Sequence, residues 1–197
     1  MDESIKNILS DGGEILLDSL LENSVLKEIP VIGTSLNIIK GVISLRDKAY
    51  LNKVKKFIEN IGEIDKNQKD LLIKESREDE KRRVKFGDAL FTTLEQSDSL
   101  LKVEYLAVAF ESFLNKNVDS SDLRLMCHAI RNTFIDDLIE IIEAENINQE
   151  TLEYNISNGV SLVTYPQLTF DRNNMAPTYT TSNTTDQLRD AWRMYKK

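Results

Sequence analysis

Cysteine, histidine, proline and glycine are all scarce in this chain of 197 residues. A single cysteine, Cys127, excludes an internal disulfide and any zinc site that is built from several cysteines. A single histidine, His128, excludes histidine-rich metal sites. Three prolines and seven glycines are few helix breakers, and with many Leu, Ile, Lys and Glu residues they predict a mainly helical protein.

Positive charge is in deficit, with 25 Lys and Arg residues against 33 Asp and Glu residues and a net charge of −8. A general nucleic-acid-binding protein normally carries a basic face, so we expect no nucleic acid among the partners. The amino-terminal segment is acidic and polar, unlike a secretory signal. No uncharged apolar run reaches the ~18 residues of a membrane span. We therefore expect a cytoplasmic protein.

The longest apolar stretch is residues 29–47, which a basic cluster follows at once. Its apolar side chains cover more than one helical face, as is typical of a helix that is buried on several sides. An apolar helix beside lysines is also typical of a protein that binds peripherally at the inner membrane, and a groove for a partner protein is a third interpretation. The candidate interaction residues here are Ile32, Leu36, Lys40, Ile43, Arg46, Lys48, Lys55 and Lys56.

Apolar residues at helical spacing predict a multi-helix bundle of five to seven helices. Residues 47–62 form a clear amphipathic helix, and residues 98–116, capped by Ser97 or Asp98, are the candidate central core helix. Residues 120–145 predict one unbroken helix. Its buried face would contain Leu123, Cys127, Ile130, Phe134, Leu138 and Ile141.

The composition changes after residue 146, where threonine, asparagine, serine and tyrosine become more frequent. Residues 160–165 and 167–170 predict short strands, with residues 177–181 as a further candidate. Thr184 and Gln187 match a capping box that opens a final helix. We therefore predict a helical bundle over residues 1–146, and a short antiparallel β-hairpin plus a carboxy-terminal helix, packed on the bundle, over residues 147–197.

Aromatic residues concentrate in this last segment. They would form either a small core or a docking surface for a partner or a second copy of the chain. The candidates for an interaction role are Tyr179, Trp192 and Tyr195.

Carboxylates repeat along the predicted helix at Asp136, Asp137, Glu140 and Glu143. Such a cluster could hold a divalent cation or serve as acid and base, so a small metal-dependent enzyme is one alternative. Metal sites in helix bundles add a Glu three residues before a His, whereas His128 has no Glu there. The sequence also has no phosphate loop or nucleophile elbow. We expect a solvated acidic face, with no catalytic residue, metal or cofactor.

The order EIPVIGT…KGVISLRDK, then amphipathic helices, then a strand hairpin, resembles small uncharacterised helical proteins of bacteria and their phages. The resemblance implies a bacterial or phage setting, with defence or counter-defence among the roles, and no catalytic assignment. We predict a non-enzymatic interaction protein that binds another protein or forms a homo-oligomer. Binding to a membrane surface through residues 29–47 and the basic helix is the second alternative.

Overall fold

A computed structural model describes residues 45–61, 64–68, 70–71, 89–165 and 176–197, with the side chains of residues 45–48 excepted. The described chain is mainly helical, with one two-stranded antiparallel sheet near the carboxy terminus and a helix after it. This confirms the predicted fold class. The chain divides into two compact units, residues 1–95 and residues 96–197. Residue 146, the predicted domain boundary, lies inside the second unit, and that boundary stays a prediction.

The first unit contains helix α1, Leu45–Ile61, which confirms the amphipathic helix predicted over residues 47–62. Its apolar residues recur every three or four positions, so one face is buried. Residues 89–96 are also helical. The Tyr50 and Phe91 rings pack with their centroids 5.4 Å apart, and the Lys53 amino group donates to the Glu95 carbonyl at 2.8 Å. The buried apolar residues are Tyr50, Val54, Phe57, Ile61, Leu90 and Leu94.

Helix α2, Leu100–Leu114, is the central helix of the second unit, as predicted. Eleven of its fifteen residues are buried. Its amino-terminal cap is Ser99 and not the predicted Ser97 or Asp98, because the Ser99 hydroxyl accepts from the Leu101 amide at 3.0 Å. Asp98 instead forms an ion pair with Lys102 at 3.1 Å.

The predicted unbroken helix over residues 120–145 is wrong, because helix α3, Ser120–Asn132, ends before helix α4, Ile135–Glu143. Thr133 and Phe134 have extended backbones with ψ near 137° and 147°. The Asn132 side chain donates to the His128 carbonyl at 2.8 Å, and this competition with the backbone disfavours asparagine inside a helix. Phe134 is therefore 77% exposed and not part of the core.

A short helix and two strands follow: α5, Gln149–Tyr154, β1, Ser161–Thr164, and β2, Thr178–Thr181. The strands are antiparallel, with Ser161 opposite Thr181 and Thr164 opposite Thr178. The strand predicted at residues 160–165 is confirmed, and its partner is the segment predicted at residues 177–181. The strand predicted at residues 167–170 lies outside the described residues.

The last helix, α6, is Asn183–Tyr195. The capping box predicted at Thr184 and Gln187 is wrong, because the cap is Ser182, whose hydroxyl accepts from the Thr185 amide at 3.2 Å. The Ser182 hydroxyl donates to the Gly159 carbonyl at 2.7 Å, and the Thr185 hydroxyl donates to the Val160 carbonyl at 2.8 Å. These bonds fix the start of α6 beside β1. The helix then packs on α2, α3 and α4.

Candidate interaction groove

An aromatic cluster joins α6 to α2. The Trp192 ring packs on the Tyr105 ring with centroids 4.5 Å apart and stacks on the Tyr195 ring at 5.6 Å. The Tyr105 hydroxyl donates to Glu143 at 2.5 Å. Trp192 is only 4% exposed, so it belongs to the core of its own chain, which was one of the two roles predicted for the aromatic residues. Tyr195 lies past the end of that core and is 36% exposed.

Beyond Tyr195, α2 and α6 enclose an open groove with a volume of about 270 Å³. Each helix contributes residues at three- and four-residue spacing, which places them on one face. One part of the lining is apolar and the other is polar. The apolar residues are Val108, Ala191, Met194 and Tyr195, and the polar residues are Glu111, Ser112, Asn115 and Asn117.

A turn at the carboxy terminus of α2 forms the polar end of the groove. The Lys116 amide donates to the Phe113 carbonyl and the Asn117 amide donates to the Ser112 carbonyl, both at 2.9 Å. These two bonds define a Schellman motif, whose left-handed position glycine usually occupies. Here Lys116 occupies it with φ of 61°. The turn fixes Asn115 and Asn117 on either side of Lys116, and both line the groove.

The one charged residue among the described residues that line the groove is Glu111. Partial burial raises the pKa of the Tyr195 hydroxyl, and the nearby carboxylates of Glu104 and Glu111 raise it further. The Lys196 amino group lies 3.6 Å from Glu104 and 4.4 Å from the centroid of the Trp192 ring, so it offsets the charge of Glu104. Glu111 has no ion-pair partner among the described residues. The groove thus presents one uncompensated carboxylate beside an apolar wall.

Of the candidates predicted in the aromatic segment, Tyr195 lines this groove and Tyr179 does not. Tyr179 is half-buried on β2. The Gln149 side chain accepts from its amide at 3.1 Å and donates to its carbonyl at 3.2 Å. A side-chain amide therefore makes the hydrogen bonds that a neighbouring strand would make at the outer edge of β2.

The candidates in the apolar stretch and the basic helix are only partly described. Lys55 lies 3.9 Å from Glu59, and Lys56 is half-buried. Arg46 and Lys48 lie on α1, but their side chains are outside the described part of the structure. The residues Ile32, Leu36, Lys40 and Ile43 lie outside the described residues altogether.

On the predicted acidic face of α4, three of the carboxylates accept hydrogen bonds from different parts of the chain. Glu140 accepts from the Asn148 amide at 2.6 Å and from the Thr151 hydroxyl at 2.9 Å. Asp137 accepts from the Asn155 side chain at 2.8 Å, and Glu143 accepts from Tyr105. In the described parts of the chain, no group of three or more metal-ligating side chains could hold an ion.

Cys127 and His128 are adjacent on α3, and their side chains differ in exposure. Cys127 is buried, which confirms the prediction of a small core residue. His128 is exposed, and its ring nitrogen lies 3.0 Å from the Asn132 side-chain amide.

Comparison of the chain with protein-family models, with curated proteins and with solved structures finds no match. The resemblance to small helical proteins of bacteria and phages stays a prediction. Across the ranges that the structure describes, none of the helices has the length and apolar character needed to cross a membrane.

The sequence did not predict most of the groove. Met194 was not among the candidate interaction residues, and Val108 lies on the predicted central core helix, where it is buried as expected, with 2% exposure. One signal was present: Glu111, Ser112 and Asn115 share a helical face with Val108 and interrupt the apolar stripe. The helix nevertheless stays in the core to its end, because Ser112, Phe113 and Leu114 are all buried.

Proposed function

We propose that this protein is a non-enzymatic interaction protein, and that the groove between α2 and α6 binds a segment of another protein. The observation that carries the proposal is a concave surface that leaves Met194 65% exposed and Tyr195 36% exposed. Apolar side chains that are exposed one by one on a surface are ordinary, but here they line one cavity. Tyrosine is enriched among residues that dominate binding energy, and methionine is common on adaptable binding surfaces.

The rigidity of the groove supports this role. Its two helices are joined by the Tyr105–Trp192 contact, and the start of α6 is fixed by Ser182 and Thr185. A binding site that is already formed in the free protein loses less conformational entropy when it binds, so more of the interaction energy appears as affinity.

A selection of a random-peptide library on the full-length protein tests the proposal. The blocking variant is Ala191→Gln, which fills the groove with a longer neutral side chain that helices tolerate well. The matched control is Asn183→Gln, which places the same side chain at the exposed start of α6. We expect the selected peptides to bind Ala191→Gln at least about tenfold more weakly than wild type, which is a loss of about 1.4 kcal/mol, and to bind the control unchanged.

Peptides that bind wild type and Ala191→Gln equally would contradict the proposal. Light scattering of the free protein over a range of concentrations tests the other form of the prediction, in which the chain associates with itself. Self-association that Ala191→Gln abolishes and Asn183→Gln preserves would show that a second copy occupies the groove.

A further inference from the structure

We propose that the segment bound in the groove carries a lysine or arginine, which pairs with Glu111, next to an apolar side chain that enters between α2 and α6. This inference rests on the proposed function and adds the chemical class of the partner. It follows from the charge, the size and the hydrogen-bonding groups of the lining.

The charge of the lining selects a cation. Glu111 lies in the groove and has no ion-pair partner among the described residues, whereas Lys196 offsets the charge of its neighbour Glu104. Opposite charges across an interface raise the rate of association and select the correct partner. The net charge of −8 adds a long-range attraction for basic segments.

The size of the groove suits one or two side chains of a peptide. Its volume of about 270 Å³ lies just below the range of roughly 300–1,000 Å³ that is typical of pockets for small molecules. Ala191 is small and leaves the space open beside the buried Val108. Met194 is flexible and can adapt to apolar side chains of different shapes.

The polar end of the groove can recognise a peptide backbone. Asn117 carries two amide donors and a carbonyl acceptor, and Ser112 adds a hydroxyl. These are the groups that pair with the N–H and C=O groups of a bound segment. An anionic lipid surface and a nucleic acid would both be repelled by Glu111.

The test uses the peptides from the random-peptide selection that bind wild type but not Ala191→Gln. Each is synthesised with its basic residue and with glutamine in its place, and its affinity is measured for wild type, Glu111→Gln and Glu150→Gln. Glu150→Gln makes the same change in net charge on exposed α5, outside the groove. The Trp192 emission and the melting temperature of each variant confirm that it is folded.

We expect the selected peptides to be enriched in lysine or arginine beside leucine or methionine. Replacement of the basic residue, or Glu111→Gln, weakens binding by about twofold to fivefold, as for a partly exposed ion pair. The two changes together weaken it no further, because they remove the same interaction. Glu150→Gln leaves the affinity unchanged.

Peptides that depend on the groove but show no basic enrichment, or no coupling to Glu111, would overturn this inference and leave the proposed function intact. A selection that yields no groove-dependent peptide would overturn the proposed function itself. Self-association of wild type that Ala191→Gln abolishes would overturn this inference by showing that a second copy occupies the groove.

Discussion

Arg189→Met is expected to destabilise the second unit strongly, because Arg189 caps the end of α4 from inside the protein. Its side chain is only 8% exposed. Its guanidinium donates to the Ile141 carbonyl and, at 2.7 Å, to the Ala144 carbonyl. The last carbonyls of a helix have no partner within the helix and carry partial negative charge, so a buried cation stabilises them. Burial lowers the pKa of Arg189, as does the charge of Arg193.

The magnitude follows from two opposing effects. Each hydrogen bond that involves a charged group contributes about 1.5–3 kcal/mol, so two contribute about 3–6 kcal/mol. Removal of the cation also removes the cost of burying its charge, and methionine keeps much of the apolar volume. We therefore expect Arg189→Met to lower the free energy of unfolding by about 2–4 kcal/mol. In a unit of this size that corresponds to a melting temperature lower by about 10–20 °C.

Trp192 provides the assay. It is the one tryptophan in the sequence, and it is buried against Tyr105 in the second unit. Its emission during urea unfolding therefore reports the second unit and not residues 1–95. Arg189→Lys should recover part of the loss, because a lysine keeps the charge but cannot match the planar arrangement of donors in arginine.

Arg193→Met is the matched control, one turn further along α6. Arg193 is exposed and lies 3.5 Å from Asp190, and such surface pairs contribute at most about 1 kcal/mol. Equal losses of stability for Arg189→Met and Arg193→Met would refute the capping role of Arg189.

Two further predictions concern Lys116 and Tyr105. Because Lys116 has φ of 61°, Lys116→Gly should raise the free energy of unfolding by about 0.5–1 kcal/mol. The control is Asn115→Gly, at φ of −82°, which should lower the free energy of unfolding. Urea unfolding that shows a change of the same sign for both variants would contradict this reasoning. Burial, and then the hydrogen bond to Glu143, raise the pKa of Tyr105 above its unfolded value of about 10. The neutral hydroxyl therefore stabilises the fold fully below about pH 10, and this contribution is lost as the pH rises further. As the pH rises above about 10, the melting temperature should fall more steeply for wild type than for Tyr105→Phe. Melting temperatures that fall in parallel for the two proteins would exclude this contribution of the Tyr105 hydroxyl.

Helical periodicity predicted both α1, which is buried on one face, and α2, which is buried on several sides. Helix α1 buries four residues of its apolar stripe and leaves Leu51 and Ile58 partly exposed. Helix α2 is the central helix that was predicted. In both cases the apolar spacing predicted the helix and its bounds to within about two residues, so local spacing is sufficient.

The break between α3 and α4 could not be predicted from periodicity, because the apolar spacing continues through it. Phe134 lies at the position where an unbroken helix would bury it, yet the extended backbone at residues 133–134 turns it outward. The signal was Asn132 followed by the β-branched Thr133, both of which disfavour a helix interior. Spacing favours the longer helix, and only the preferences of these two side chains oppose it.

The groove and the Arg189 cap depend on where α6 packs, which no local pattern in the sequence specifies. Trp192 and Tyr195 share one face of α6 and were predicted to act alike. Trp192 instead reaches the Tyr105 ring, whereas Tyr195 projects past the end of the core towards Glu104 and Glu111. Residues with the same spacing therefore differ in role because α6 extends beyond the core on which it packs.

This arrangement couples the stability of α6 to the groove. Tyr195 stacks on Trp192, and the position of Trp192 depends on the bonds that hold α6 to α4 through Arg189. A variant that loosens those bonds should also weaken peptide binding, although Arg189 does not line the groove. Arg189→Met, measured well below its melting temperature, should therefore bind the selected peptides more weakly than Arg193→Met does. Equal affinities would show that the groove keeps its shape without the cap, and that the aromatic cluster alone positions Tyr195.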